Sequence, residues 1–84
     1  MDNEFLKAKQ LSLDIFEKML LAKEWNSKED FVNVVVSQKE KQAQQNAPKI
    51  IVRAYEELYI MLRGITFNEM KEIKAVLLKQ KSGK

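Results

Sequence analysis

The chain has 84 residues and contains neither cysteine nor histidine. Disulfide bonds are therefore excluded, and so are the usual zinc and haem sites, which take their ligands from these residue types. A chain of this length forms one domain, residues 1–84, whose fold rests on apolar packing. Its 45% hydrophobic and 32% charged residues are typical of an ordered globular protein.

The net charge of +3 is unevenly distributed. Residues 43–84 carry eight Lys or Arg and four Asp or Glu, whereas the first half is close to neutral. Such a bias can favour an acidic partner, anionic lipid or nucleic acid. A solvated surface is the simpler explanation for a charge this small.

The apolar runs and the N-terminus predict a cytoplasmic protein. The longest unbroken apolar run, Leu58–Leu62, is far shorter than the ~20 residues that cross a bilayer. Residues 1–4 are acidic and lack the basic start and apolar stretch of a signal peptide.

The first helix is predicted over residues 3–23. Its apolar residues recur at intervals of three and four, the spacing of one helical face, and a second row follows at intervals of seven. The first row comprises Phe5, Ala8, Ser12, Ile15, Phe16, Met19 and Ala22, and the second comprises Leu6, Leu13 and Leu20. So wide an apolar stripe indicates contact with two neighbouring helices.

The second helix is predicted over residues 28–45. Ser27 is a good N-cap, with Asp30 three residues later. The expected buried face comprises Phe31, Val34, Val35 and Gln38. The valine run 34–36 is also compatible with a β-strand, but a helix is favoured because no second strand-like segment exists to pair with it. Residues 38–45 are almost free of apolar side chains and are expected to project toward solvent.

The third helix is predicted over residues 48–63. Pro48 suits the first helical turn, where an amide N–H is not needed. The regular apolar face comprises Ile51, Ala54, Tyr55, Leu58, Met61 and Leu62. Gly64 is expected to be the left-handed residue that ends this helix.

The fourth helix is predicted over residues 67–80. Thr66 and Glu69 have the spacing of a capping box, in which each side chain accepts a hydrogen bond from the other residue's amide. The expected buried face comprises Met70, Ile73 and Leu77, with Val76 as a further candidate. Residues 82–84 are expected to form a loose tail.

The connections between these helices are short, on the order of three to five residues. Short connections between long helices make sequential neighbours antiparallel. The sequence therefore predicts an all-α protein, an antiparallel up-down-up-down four-helix bundle.

No arrangement of residues indicates catalysis, so an enzyme is not expected. The chain has no Cys or His nucleophile or base, and none of its serines has an activating motif. Glu69 and Glu72 have the spacing of metal ligands on a helix, but di-iron bundles combine glutamates with histidines. No cofactor and no metal are therefore expected.

The segment 41–80 carries a recognisable series of features. A Gln- and Lys-rich helix end (residues 39–44) precedes a break at Pro48, and the aliphatic run 50–52 leads into Arg53. An amphipathic helix and a short turn follow, and Ile65-Thr66-Phe67 opens the fourth helix. In these features the segment resembles the immunity proteins of pediocin-like (class IIa) bacteriocins, the family that includes the enterocin A immunity protein.

This resemblance implies a cytosolic four-helix bundle that protects its producer cell from a pore-forming bacteriocin without any chemistry. Members of the family act from inside the cell, at a membrane permease of the mannose phosphotransferase type to which bacteriocin has bound. A basic surface on the third and fourth helices is then expected to dock on the permease, with peripheral contact at the inner membrane face. Nucleic acid is not expected as a partner.

The candidates for this partner contact are Tyr59, Arg63, Lys71, Lys74 and Lys81. Tyr59 lies slightly off the apolar face of its helix, although a place in the core is the simpler explanation for it. The same holds for Trp25, which is expected to pack over the end of the bundle.

Two other functions stay open at this point. One is a small helical DNA-binding or phage-type regulator, in which the fourth helix would read the bases. Glu69 and Glu72 in its first turns would oppose DNA phosphates, which weakens this alternative. The other is a helical adaptor that binds a partner protein through an exposed groove.

Overall fold

The computed structural model describes residues 3–82 and confirms the predicted all-α bundle. The four helices are α1 (Asn3–Ala22), α2 (Lys28–Gln44), α3 (Lys49–Leu62) and α4 (Phe67–Ser82). Each begins and ends within two residues of its predicted bounds. Ser82 is still helical, so the predicted loose tail does not begin there; its remaining residues, Gly83 and Lys84, lie outside the described residues.

The valine run is helical, as the lack of a partner strand predicted. Residues 34–36 lie within α2, and residues 3–82 contain no strand. Phe31 and Val35 are fully buried, and Phe31 meets the Phe16 ring edge-on with 5.8 Å between centroids. Aromatic pairs in this geometry add stability beyond the area they bury. The central core comprises Phe16, Leu20, Phe31, Val35, Leu58, Leu62 and Met70.

The third helix packs against α2 on one side and against α1 on the other, where the contact is close. Small or short side chains, Ala8 and Ser12 of α1 and Ala54 of α3, are all buried and allow the two backbones to approach. The Ser12 hydroxyl donates to the Lys9 carbonyl at 2.6 Å, so this buried polar group is satisfied.

Two contacts along α1 and α3 show how these helices run. Lys9 pairs with Glu57 at 3.0 Å, and the Arg53 guanidinium lies 5.4 Å from the Phe5 ring centroid. Both contacts have the same sequence separation, as parallel helices require. On the other side of α3, the Lys28 ammonium at the start of α2 donates to the Ile65 carbonyl beyond the end of α3, as an antiparallel pair requires.

Local caps determine where α2 and α4 start. The Asp30 amide donates to the Ser27 hydroxyl at 3.1 Å. The predicted capping box of α4 is present: the Thr66 amide donates to Glu69 Oε1 at 2.8 Å, and the Glu69 amide donates to the Thr66 hydroxyl at 3.1 Å. A cap of this kind contributes about 1 kcal/mol.

Two expectations about helix ends were wrong. Gly64 has no left-handed backbone, because α3 ends in successive i to i−3 hydrogen bonds that keep the chain right-handed. Pro48 does not enter α3 but caps it from the preceding position. A left-handed residue is found at the end of α2 rather than of α3. It is Asn46 (φ 58°), and the amides of Asn46 and Ala47 donate to carbonyls of the last turn of α2.

The fourth helix packs mainly on α1, and this corrects its predicted buried face. Met70 is buried and Leu77 half-buried, but Ile73 and Val76 are exposed, Val76 by 54%. Because α1 is its main neighbour, the side of α4 that carries these two residues is left uncovered by the rest of residues 3–82. On α1, Phe5, Ala22, Leu6 and Leu13 are likewise exposed rather than buried.

Candidate partner-binding groove

The carboxyl end of α1, the following loop and α4 enclose a groove of about 220 Å³. Its floor is apolar, since Leu20 and Met70 are buried core residues. Trp25, Phe67 and Leu78 add apolar walls. We call this feature the α1–α4 groove; its remaining lining residues are Glu24, Lys71, Lys74 and Ala75.

Trp25 is held firmly in the wall of the groove. Its indole N–H donates to the Met19 carbonyl at 2.8 Å, and its ring meets Phe31 edge-on at 4.7 Å between centroids. The residue is half-buried and packs against the core, as predicted for the end of the bundle. The groove therefore has a wall that is preorganised before any partner arrives.

Lys74 connects α4 to the end of α1. Its ammonium donates to the Lys23 carbonyl at 2.7 Å and pairs with Glu24 Oε2 at 3.2 Å. The Lys74 side chain is only 15% exposed, whereas that of Glu24 is 93% exposed. Lys74 is thus largely occupied within the chain, which sets it apart from the other predicted contact residues.

Lys71 lies at the rim and is exposed. Its ammonium sits 4.9 Å from the Phe67 ring centroid, one helical turn earlier. Lys23 makes the same kind of contact with Trp25, in the loop that follows α1, with its ammonium 4.5 Å from the ring centroid. Cation–π contacts at exposed sites are worth about 0.5–1 kcal/mol, so both ammonium groups stay available to a stronger anionic partner.

The remaining predicted contact residues do not line this groove. Tyr59 is exposed and borders a separate depression between α2 and α3, together with Tyr55 and Lys39. Arg63 is exposed at the C-cap of α3, and Lys81 is exposed in the last turn of α4. Of the five candidates, the structure brings only Lys71 and Lys74 together in the groove.

Sequence reasoning missed Phe67 as a member of the groove and Lys23 as a neighbour of its Trp25 wall. The Phe67–Lys71 pair is visible in the sequence, because residues four apart on a helix are neighbours. The place of Lys23 was not visible, since it depends on how the loop folds Trp25 back onto the core.

A larger depression of about 560 Å³ lies where the amino ends of α1 and α3 meet the α2–α3 loop. Its charged lining is mixed: Glu4 and Glu56 oppose Lys49 and Arg53. With two charges of each sign, it offers less electrostatic preference for one kind of ligand than the α1–α4 groove does.

The described residues contain no group of three acidic side chains placed to hold a metal ion. No helix within residues 3–82 is long and apolar enough to cross a membrane. No protein-family model, curated protein or solved structure matches this chain. The groove itself offers an apolar floor and a cationic rim, which is the chemistry of binding.

Proposed function

We propose that this chain is an immunity protein of the pediocin-like bacteriocin class. It protects its producer by binding, from the cytosolic side, where a pore-forming bacteriocin has engaged a permease of the mannose phosphotransferase type. The resemblance of residues 41–80 to that family is the observation that carries the proposal. The all-α bundle supports it, because it is the fold that this resemblance implies.

The proposed protection depends on electrostatic attraction of a basic surface of the chain to an anionic membrane. Arg63, Lys71 and Lys81 are exposed on or beside α3 and α4. Near an anionic membrane each such cation is worth about 1 kcal/mol of attraction. Lys74 is left out of this set because its ammonium is already bound within the chain.

The test is survival of a bacteriocin-sensitive Gram-positive strain that expresses the chain and is challenged with a panel of bacteriocins. We expect protection against at least one member of the panel. The triple reversal Arg63→Glu, Lys71→Glu and Lys81→Glu is expected to abolish protection while circular dichroism stays helical.

The matched control reverses three exposed lysines of the other helices, Lys7, Lys18 and Lys41, with the same change in net charge. It is expected to keep protection, because it spares the proposed surface. No protection against any bacteriocin, or equal loss in both triple variants, would contradict the proposal. Salt-dependent binding of duplex DNA by the purified chain would instead favour the regulator.

A further inference from the structure

The rim of the α1–α4 groove carries more positive than negative charge. Among the lining residues, Lys71 and Lys74 are positively charged and Glu24 is negatively charged. The Lys23 ammonium lies outside this lining, 4.5 Å from the ring centroid of the Trp25 wall. Glu24 is almost fully exposed and is already shared with Lys74. The nearby Glu72 borders a different depression, on the flank of α4 with Ile73 and Val76. A ligand that complements this rim is therefore negatively charged.

The size of the groove limits what fits its floor. Pockets for drug-sized molecules have volumes of roughly 300–1,000 Å³, and this groove has about 220 Å³. It suits one or two apolar side chains that project from a larger partner. Because the Trp25 wall is already bonded and packed, such anchors would enter a preformed site at a low entropic cost.

From this geometry we infer that the α1–α4 groove is a docking site for an acidic amphipathic helix of a partner protein. An apolar anchor of the partner packs against Trp25, Phe67 and Leu78, above the buried floor. A neighbouring carboxylate reaches the ammonium of Lys71 or Lys23. A helix presents such anchors at i, i+3, i+4 and i+7, with charges at the flanks of the stripe. The site shares Lys71 with the basic surface proposed above, but its test uses the purified chain and does not need protection in cells.

The single tryptophan of the chain lines the groove and serves as the reporter. The probe is a tryptophan-free helical peptide with leucine at i, i+3, i+4 and i+7 and flanking glutamates. Its twin carries lysine at every glutamate position. The glutamate peptide is expected to change Trp25 emission in a saturable, salt-weakened manner, whereas the lysine twin binds at least about tenfold more weakly.

Two variants test the location of the site. Ala75 is exposed and lines the groove, so Ala75→Phe fills it without altering the core. It is expected to weaken binding of the glutamate peptide by about tenfold or more, as loss of an anchor pocket does. Ala43→Phe, at an exposed position outside the groove, is the matched control and is expected to bind normally.

Equal binding of both peptides, no saturable signal, or an unaltered affinity in Ala75→Phe would each overturn the inference. Tighter binding of phosphatidylglycerol vesicles than of the peptide, lost in Ala75→Phe, would also overturn it and assign the groove to lipid. Loss of protection in the cell assay has no bearing on this result. Each of the two proposals can therefore be refuted without refuting the other.

Discussion

At the end of α3, the Gly64 amide donates to the Met61 carbonyl at 3.0 Å and the chain stays right-handed. A Cβ built on Gly64 would lie 3.6 Å from that carbonyl oxygen, an ordinary van der Waals contact. Gly64→Ala is therefore expected to stabilise the chain by about 0.4–1 kcal/mol, because alanine reduces the freedom of the unfolded chain. Thermal unfolding followed by circular dichroism measures this as a rise in Tm.

Asn46 provides the contrast, because its φ of 58° is left-handed. A left-handed backbone costs an ordinary residue roughly 1–2 kcal/mol, and glycine avoids that cost. Asn46→Ala is expected to lower Tm, and Asn46→Gly to leave it equal or higher. A fall in Tm for Gly64→Ala as large as that for Asn46→Ala would contradict this assignment of the two helix ends.

At the scale of the element, Lys74 adds a polar link between α4 and the end of α1 to the apolar packing of Met70. Lys74→Met keeps the apolar stem but removes the bond to the Lys23 carbonyl, and we expect a loss of about 1 kcal/mol. Glu24→Gln removes only a surface ion pair, for which less than about 0.5 kcal/mol is expected. Urea unfolding followed by Trp25 fluorescence measures both.

The order of these two losses is the informative result. If Glu24→Gln costs as much as Lys74→Met, and both losses shrink in high salt, the ion pair rather than the carbonyl bond attaches the helix. A loss of stability that is seen in Lys74→Met but not in Glu24→Gln, and that does not change with salt, supports the carbonyl bond, because charge pairs at the surface are screened.

Helix positions were predictable from the sequence because their signals are local. The hydroxyls of Ser27 and Thr66 act within three residues of themselves, so the starts of α2 and α4 followed directly. The exposure of Ile73 and Val76 was not predictable, since it depends on which helices surround α4. For the same reason the sequence indicated Lys71 and Lys74 but missed the groove that joins them to Trp25.

At the scale of the whole molecule, the helices are unequally supported. α3 lies between α1 and α2 and buries Ala54, Leu58 and Leu62 completely. α4 packs mainly on α1, and within residues 67–81 Met70 is its one fully buried residue. Since most helical stability in proteins comes from tertiary packing, the two helices are held by very different amounts of buried apolar surface.

Native-state hydrogen exchange tests this inequality. Regions with few buried contacts open locally at a lower free energy than the whole protein unfolds. Amides of residues 73–80 are therefore expected to be protected at least about tenfold less than those of residues 54–62, a difference of about 1.4 kcal/mol or more.

The denaturant dependence separates local opening from global unfolding. Exchange of the α4 amides is expected to respond weakly to urea, because detaching one helix exposes little surface, whereas α3 exchange follows global unfolding. Equal protection and equal urea response in the two helices would show that α3 and α4 unfold together as one cooperative unit. If α4 does open separately, a partner bound in the groove must raise its protection, because it binds only the state in which α4 lies on α1.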